Sequence, residues 1–266
     1  MTPEQRTFLD GLTARFAANG GVPDPADAFR RTIVARWDDV LARSQRAVTD
    51  ELASLSPTRR AWLDVFEQEP SLLGPLGRGR DENLHSSALA WLLGREDATG
   101  ASLRAAWLRL LGVEAPVEGW RVAREVAVAS GCRVDLHLDV PRVWTCFVEA
   151  KVDAGERERQ LLDYAAALEA RAQQDSVATS LVFLTLDGRA PADPVDAVRV
   201  RYEDVLVAFL PATSHATATA RFLRLWLASV ARDLYAAAGE GPVDAWKPQH
   251  RSKTLGLIHR ADVGGA

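Results

Sequence analysis

The amino-acid sequence predicts an α/β protein with a sheet flanked by helices. Apolar residues recur at three- and four-residue spacings over residues 3–69, which is the period of amphipathic helices. Between residues 122 and 152 the pattern changes to short runs rich in β-branched residues, which are typical of strands. A helical pattern over residues 156–172 then precedes a nearly all-apolar run at residues 178–186, as in a buried strand. This order of elements indicates helices packed against a central sheet.

The N-terminal part of the chain is predicted to be helical over residues 3–69, with breaks at Gly20-Gly21 and at Ser56-Pro57. A glycine-containing loop follows over residues 70–80. Asp81 is then placed to cap a helix that runs through Leu93, and a further helix is expected over residues 102–111.

The second half is predicted to hold the sheet. We expect strands over residues 122–129, 133–140, 143–152, 178–186 and 198–202, with the helix of residues 156–172 between the third and fourth. Helices over residues 203–210 and 217–237 follow. The domain assignment is therefore a helical N-terminal region packed on the core, the core itself, a C-terminal helix and a flexible tail, at residues 1–75, 76–212, 213–238 and 239–266.

Composition limits the classes of function. With 266 residues, of which 47% are hydrophobic, the chain can bury a sizeable core. It shows no signal-peptide pattern and no run of 18 uncharged apolar residues, so we expect a cytoplasmic protein that does not enter a membrane. The net charge of −4 gives no global attraction for nucleic acid, so a polyanion would have to be held by a local patch or by metal ions.

Lysine is rare in this chain. Of 32 basic residues only Lys151, Lys247 and Lys253 are lysine, and the last two lie in the predicted tail. An ammonium retained where arginine serves elsewhere suggests a position that a guanidinium would not suit. The alternative is chance in an arginine-biased composition.

Two predicted strands place charged residues side by side. Arg133 and Asp135 lie on the polar face of the second strand, and Glu149 shares a face with Lys151 on the third. A three-residue turn centred on Arg142 would set Asp135 opposite Glu149, whereas a two-residue turn would reverse that relation. Two carboxylates and an ammonium at one point suit a Mg²⁺ site that activates water. A cross-strand salt-bridge cluster is the structural alternative.

The following helix carries Gln160 and Tyr164 four residues apart, hence on one face. The amide can support a substrate phosphate or a metal-bound water, and the tyrosine can stack on a nucleotide or bond to it. An ordinary amphipathic helix with a tyrosine at its boundary explains the same pattern.

These residues together resemble a known family. Glu82 on a helix, Asp135, Glu149-Ala150-Lys151 and the Gln160-x-x-x-Tyr164 helix look like the PD-(D/E)XK nuclease superfamily, in particular its RecB-like branch. The run Glu82-Asn83-Leu84-His85-Ser86 is similar to bacterial members of uncharacterised role. The resemblance covers roughly residues 62–210, and Val134 stands where the superfamily's name has proline.

The resemblance implies a restriction-endonuclease-like core of order αβββαβ, with a mixed central sheet and helical additions at both ends. It also implies a nuclease that hydrolyses phosphodiester bonds of nucleic acid, expected to be DNA, with Mg²⁺ for which Mn²⁺ can substitute. Asp135 and Glu149 would hold the ion, the carbonyl of Ala150 would add a ligand, and Glu82 would complete the site directly or through water. Lys151 would be catalytic.

The sequence defines the roles of the remaining residues near the site less closely. Within the same scheme Gln160 would assist catalysis, and the expected substrate contacts are Tyr164, Arg133 and Arg80. His85 is at least as well explained by helix packing as by a role in the site. Glu125, in the first strand, could face the site, but a solvated strand glutamate is the preferred interpretation.

A second function remains open. The chain is also compatible with a catalytically inactive module that has the nuclease fold and acts as a scaffold or accessory subunit. The apolar C-terminal helix would then serve a partner protein or a homodimer.

Overall fold

The protein is described here by a computed structural model that covers residues 6, 7, 10, 25–128 and 131–263. The predicted helical pattern at Phe8, Leu12 and Phe16 and the break at Gly20-Gly21 fall almost entirely outside these residues. The helices are α1 Pro25–Ala53, α2 Pro57–Gln68, α3 Glu82–Leu93, α4 Ala98–Leu111, α5 Gln160–Asp175, α6 Tyr202–Phe209, α7 Ala218–Ser229 and α8 Pro248–Val263. The strands are β1 Arg121–Ala127, β2 Arg133–Val140, β3 Trp144–Ala150, β4 Ala178–Thr185 and β5 Val198–Arg201.

The chain divides into two compact units, Met1–Leu55 and Ser56–Ala266. The first contains α1, and the second contains α2 together with the sheet. The boundary predicted after residue 75 is therefore wrong for α2, which contacts α7 and α8. The physical reason is that Leu63 and Phe66, on the apolar face of α2, are fully buried within the second unit.

The sheet is mixed, in the order β1-β2-β3-β4-β5. β1, β2 and β3 pair antiparallel, whereas β3, β4 and β5 pair parallel. Val140 pairs with Trp144, so three residues connect β2 to β3, and Arg142 in that turn has a φ of 65°. The predicted three-residue turn is confirmed. Because Leu136 pairs with Val148, the same register places Asp135 across from Glu149.

Helices cover the sheet. α3 packs on β1 and β2, and α5 packs on β3 and β4. Every residue of β3 is buried, because this strand has a neighbour on each side as well as helical cover. Apolar side chains of α5 and the adjoining strands form one core cluster, with Val134, Phe147, Leu161, Tyr164, Leu168, Leu181 and Phe183. The carboxyl end of β3 therefore brings polar residues into the centre of the molecule.

The C-terminal part differs from the prediction. α7 ends at Ser229 and passes into a π-helical turn at Val230–Leu234, instead of continuing to residue 237. The predicted flexible tail from residue 239 contains α8, whose residues Leu257, Ile258 and Ala261 are buried. The prediction of a tail is wrong over this helix, because its apolar residues meet α2 and α6 at helical spacing.

No helix in the described part of the chain is long and apolar enough to cross a membrane.

The packing of α8 can be tested with a matched pair of substitutions. Ile258 is 1% exposed and Val263 is 65% exposed on the same helix. Ile258→Ala is expected to lower the free energy of unfolding by about 2–4 kcal/mol, because it leaves a cavity in the core. Val263→Ala is expected to change it by less than about 0.5 kcal/mol. Denaturant unfolding measures both, and equal small effects would show that α8 is not part of the core.

Candidate active site

The candidate site is built around Glu149, which is 0% exposed at the carboxyl end of β3. The Lys151 Nζ lies 2.5 Å from the Glu149 Oε1 and 3.4 Å from the Glu82 Oε1. Glu82 is held at this distance because its other oxygen accepts a hydrogen bond from the Val152 backbone N–H, at 2.9 Å. The lysine ammonium thus lies between a carboxylate from the sheet and one from the first turn of α3.

Asp135 approaches the same point from β2. Its Oδ2 accepts a hydrogen bond from the Ala150 backbone N–H, at 2.8 Å. This bond ties the side chain to the segment that carries both Glu149 and Lys151. The structure therefore brings together Glu82, Asp135, Glu149 and Lys151, which the sequence suggested as a group.

Burial sets the electrostatics of these groups. Burial, and then the charge of Asp135, raises the pKa of Glu149 to about 7 against the opposing effect of Lys151. Burial also raises the pKa of Asp135, although its bond from Ala150 opposes the change. For Lys151, burial acts to lower the pKa, but the charge of Glu149 and the other carboxylates outweighs it, so the pKa is raised. Lys151 is thus held as a cation, and its neighbours do not favour loss of its proton.

The carboxylates of the site are candidate ligands for a hard divalent cation. Among the described residues, no group of three or more His, Cys, Asp or Glu side chains already converges as a metal cluster. Both carboxylate oxygens of Glu149 are nevertheless buried, and the Lys151 ammonium, 2.5 Å from the Oε1, compensates their charge. Carboxylate oxygens are the ligands that Mg²⁺ prefers. The residues therefore fit such an ion if the Glu149 side chain exchanges its contact with Lys151 for the ion.

The Gln160 and Tyr164 pair is internal. The Gln160 Nε2 donates to the Tyr164 hydroxyl at 2.9 Å, and that hydroxyl donates to the Arg133 carbonyl. Tyr164 is 0% exposed and meets the Phe147 ring edge to face. Stacking of Tyr164 on a nucleotide is therefore not available in this structure, because the ring is part of the core. The pair instead joins the start of α5 to β2 beside Asp135.

The two arginines expected to contact substrate lie in different environments. Arg80 forms a double hydrogen bond with the Asp153 carboxylate, at 2.7 and 2.5 Å. Its charge is therefore already paired across the loop that follows Lys151. The Arg133 side chain is exposed at the beginning of β2.

Two further residues near the site, His85 and Tyr202, are buried. His85 is fully buried on α3, has its Nε2 2.9 Å from the Gly79 carbonyl, and packs against the Tyr202 ring at 5.7 Å between centroids. These contacts are those of a packing histidine. The sequence patterns assign Tyr202 no role in the site. It is fully buried, and its hydroxyl has no hydrogen-bond partner among the residues of the structure.

Comparison with known proteins agrees with the fold. The family model described as the PD-(D/E)XK nuclease superfamily matches residues 72–237, more than half of the chain. The chain belongs to this superfamily, whose members are in general phosphodiester hydrolases acting on nucleic acid. The mixed sheet with flanking helices is accordingly a restriction-endonuclease-like core. No curated protein and no solved structure gave a significant match.

The role of the tyrosine pair can be tested with two substitutions at fully buried sites. Tyr164→Phe is expected to cost about 1–2 kcal/mol of unfolding free energy, because the Gln160 amide and the Arg133 carbonyl lose their partner. Tyr202→Phe removes a hydroxyl without a partner in the described structure and should cost less than about 0.5 kcal/mol. Denaturant unfolding compares them, and an equal loss in both variants would contradict the hydrogen-bond assignment.

Proposed function

We propose that the protein is a metal-dependent nuclease that hydrolyses phosphodiester bonds of DNA. The observation that carries this proposal is Glu149, a fully buried carboxylate that is paired with Lys151 and lies close enough to Asp135 for the charge of Asp135 to raise its pKa. Burying such a group is costly unless a charge compensates it. Here a single ammonium compensates the carboxylates of Glu149, Glu82 and Asp135, and this excess of negative charge is best explained by a role that needs a second cation.

Asp135 and Glu149 would hold Mg²⁺, with Mn²⁺ as a substitute. The Ala150 carbonyl would add a ligand, and Glu82 would bind directly or through a water molecule. When bound, the ion supplies an activated water and neutralises charge that develops on the phosphate. The protein supplies fixed positions for the ligands, since Asp135 is tied to the Ala150 N–H and Glu82 to the Val152 N–H.

Lys151 would act on the substrate as a cation. Its ammonium is already charged and already directed at the site by Glu149 and Glu82. With Glu149 as a ligand of the ion, Lys151 would be free to donate to a phosphate oxygen and to stabilise its negative charge. A compact ammonium with three donors suits that position.

The surrounding residues would position the side chains of the site and bind the nucleic acid. Gln160 is placed to support the site, while Tyr164 acts as a positioning residue through its bond to the Arg133 carbonyl. The exposed Arg133 side chain and Arg80 would contact the nucleic-acid backbone. Arg80 would have to exchange its bonds with Asp153 for a phosphate.

Cleavage assays test the proposal. Glu149→Gln and Lys151→Met should each lower Mg²⁺-dependent cleavage of DNA by at least about 100-fold, because one removes an ion ligand and the other the cation that acts on the phosphate. Lys247→Met is the matched control, because this exposed lysine lies far from the site in sequence and should leave the rate unchanged. The cleavage assay is run on linear, circular and single-stranded DNA and on RNA.

If the wild-type protein cleaves nucleic acid and both site variants retain that cleavage, the assignment of these residues is wrong. Cleavage of RNA alone would keep the site and correct the substrate.

The second candidate is an inactive member of the superfamily that binds a partner protein or a second copy of itself. It is favoured by one observation, namely that the Lys151 ammonium already neutralises Glu149. Calorimetric titration with Mg²⁺ separates the two. Binding that Glu149→Gln abolishes supports the nuclease, whereas a wild-type protein without any binding supports the inactive module.

A further inference from the structure

The Tyr202 hydroxyl is buried without a partner. Tyr202 is the first residue of α6, directly after β5, and its side chain is 0% exposed. The hydroxyl has no hydrogen-bond partner among the described residues. A hydroxyl that leaves water without gaining a partner is costly, and a phenylalanine ring would fill the same space without that cost. Packing alone therefore does not explain the hydroxyl, and a functional explanation is needed.

The order of strands brings Tyr202 to the edge of the sheet that carries the candidate site. β3, β4 and β5 run parallel, so their carboxyl ends lie at the same edge. Lys151 follows the end of β3, and its backbone N–H still donates to the Leu184 carbonyl on β4, at 2.8 Å. Thr185 pairs with Arg201, the residue before Tyr202. Lys151 and Tyr202 therefore leave the sheet close to the same level.

A ring contact joins Tyr202 to the helix that carries Glu82. The Tyr202 ring meets the His85 ring edge to face, at 5.7 Å between centroids. The His85 ring is held in turn by the contact of its Nε2 with the Gly79 carbonyl, at 2.9 Å. On α3, His85 lies three residues after Glu82, so the two side chains are neighbours on one face of the helix. The Tyr202 side chain therefore packs against the turn of α3 that presents Glu82 to the site.

The charges near Tyr202 are those of the site's carboxylates. Burial, followed by the charges of Glu82 and Asp135, raises the pKa of Tyr202. The hydroxyl is therefore a neutral donor close to negative charge. One Glu82 oxygen accepts from the Val152 N–H at 2.9 Å, whereas the other, Oε1, has the Lys151 ammonium at 3.4 Å. The Oε1 is thus the more loosely held of the two oxygens.

We propose that Tyr202 is a positioning residue, whose hydroxyl donates to the Glu82 carboxylate when the Lys151 ammonium contacts a substrate phosphate. The inference rests on the proposed function, in which Lys151 acts on the phosphate. The Glu82 Oε1 would then lose its ammonium, while the other oxygen keeps the Val152 N–H. A hydrogen bond from Tyr202 would hold the freed oxygen and keep Glu82 directed at the site.

Cleavage kinetics of Tyr202→Phe test this role. The substitution keeps the ring and removes only the hydroxyl, so kcat for Mg²⁺-dependent cleavage of DNA should fall about tenfold, as for one lost hydrogen bond. KM should stay within about twofold of the wild-type value, because Tyr202 does not touch the substrate. In a Glu82→Ala background, which lacks the acceptor, Tyr202→Phe should lower kcat no further.

Thr254→Val is the matched control. Thr254 is also 0% exposed, but its hydroxyl donates to the Ala237 carbonyl, at 2.6 Å. Loss of this hydroxyl should lower the Tm by about 2–4 °C and leave kcat unchanged. Tyr202→Phe should show the reverse, with an unchanged Tm and a lower kcat.

A second readout needs neither an ion nor cleavage. In the Lys151→Met protein the ammonium is absent, so the Tyr202 hydroxyl should already donate to Glu82. Adding Tyr202→Phe to this variant should lower the Tm by about 2–4 °C, although the same substitution leaves the wild-type Tm unchanged. If Lys151→Met does not fold, the kinetic comparison with Glu82→Ala decides.

The inference is wrong if Tyr202→Phe leaves kcat at the wild-type value, lowers it equally in the Glu82→Ala background, or leaves the Tm of Lys151→Met unchanged. In each of these cases the proposed function stands, provided that Glu149→Gln still abolishes cleavage. A wild-type protein that cleaves no nucleic acid would overturn the proposed function and this inference together.

Discussion

The site depends on one buried ion pair, between Glu149 and Lys151. A carboxylate withdrawn from water is costly unless a cation or hydrogen-bond donors compensate it, and here the Lys151 ammonium, 2.5 Å from the Glu149 Oε1, is that cation. Glu149 cannot move to solvent, because β3 is buried along its whole length between β2 and β4. The position of the charge therefore follows directly from the order of strands in the sheet.

The rest of the site holds this pair in an excess of negative charge. Asp135 is tied to the Ala150 N–H and Glu82 to the Val152 N–H, so two further carboxylates are fixed around a single ammonium. Under the proposed function a second cation would compensate this excess, so membership of a nuclease superfamily and the local electrostatics are consistent with the same chemistry. Burial of the carboxylates alone would not indicate a cation site.

Local patterns in the sequence predicted much of this. The bounds of β2, the Asp81 cap of α3 and the three-residue turn before β3 depend on alternation and turn chemistry within a few residues. Other features depend on contacts between distant segments. The burial of Tyr164 against Phe147 needs the packing of α5 on the sheet, and the pairing of Arg80 with Asp153 joins residues 73 positions apart. The helix α8 was not predicted, because charged residues interrupt its apolar residues. These apolar residues form a buried face only when the helix packs against α2.

The most direct test of this account is anomalous diffraction from crystals of the protein soaked in Mn²⁺. The account predicts an anomalous peak about 2.1–2.2 Å from carboxylate oxygens of both Asp135 and Glu149, with the Lys151 ammonium moved away from Glu149. A well-ordered site that shows no such peak at saturating Mn²⁺, with Lys151 still paired to Glu149, would contradict it.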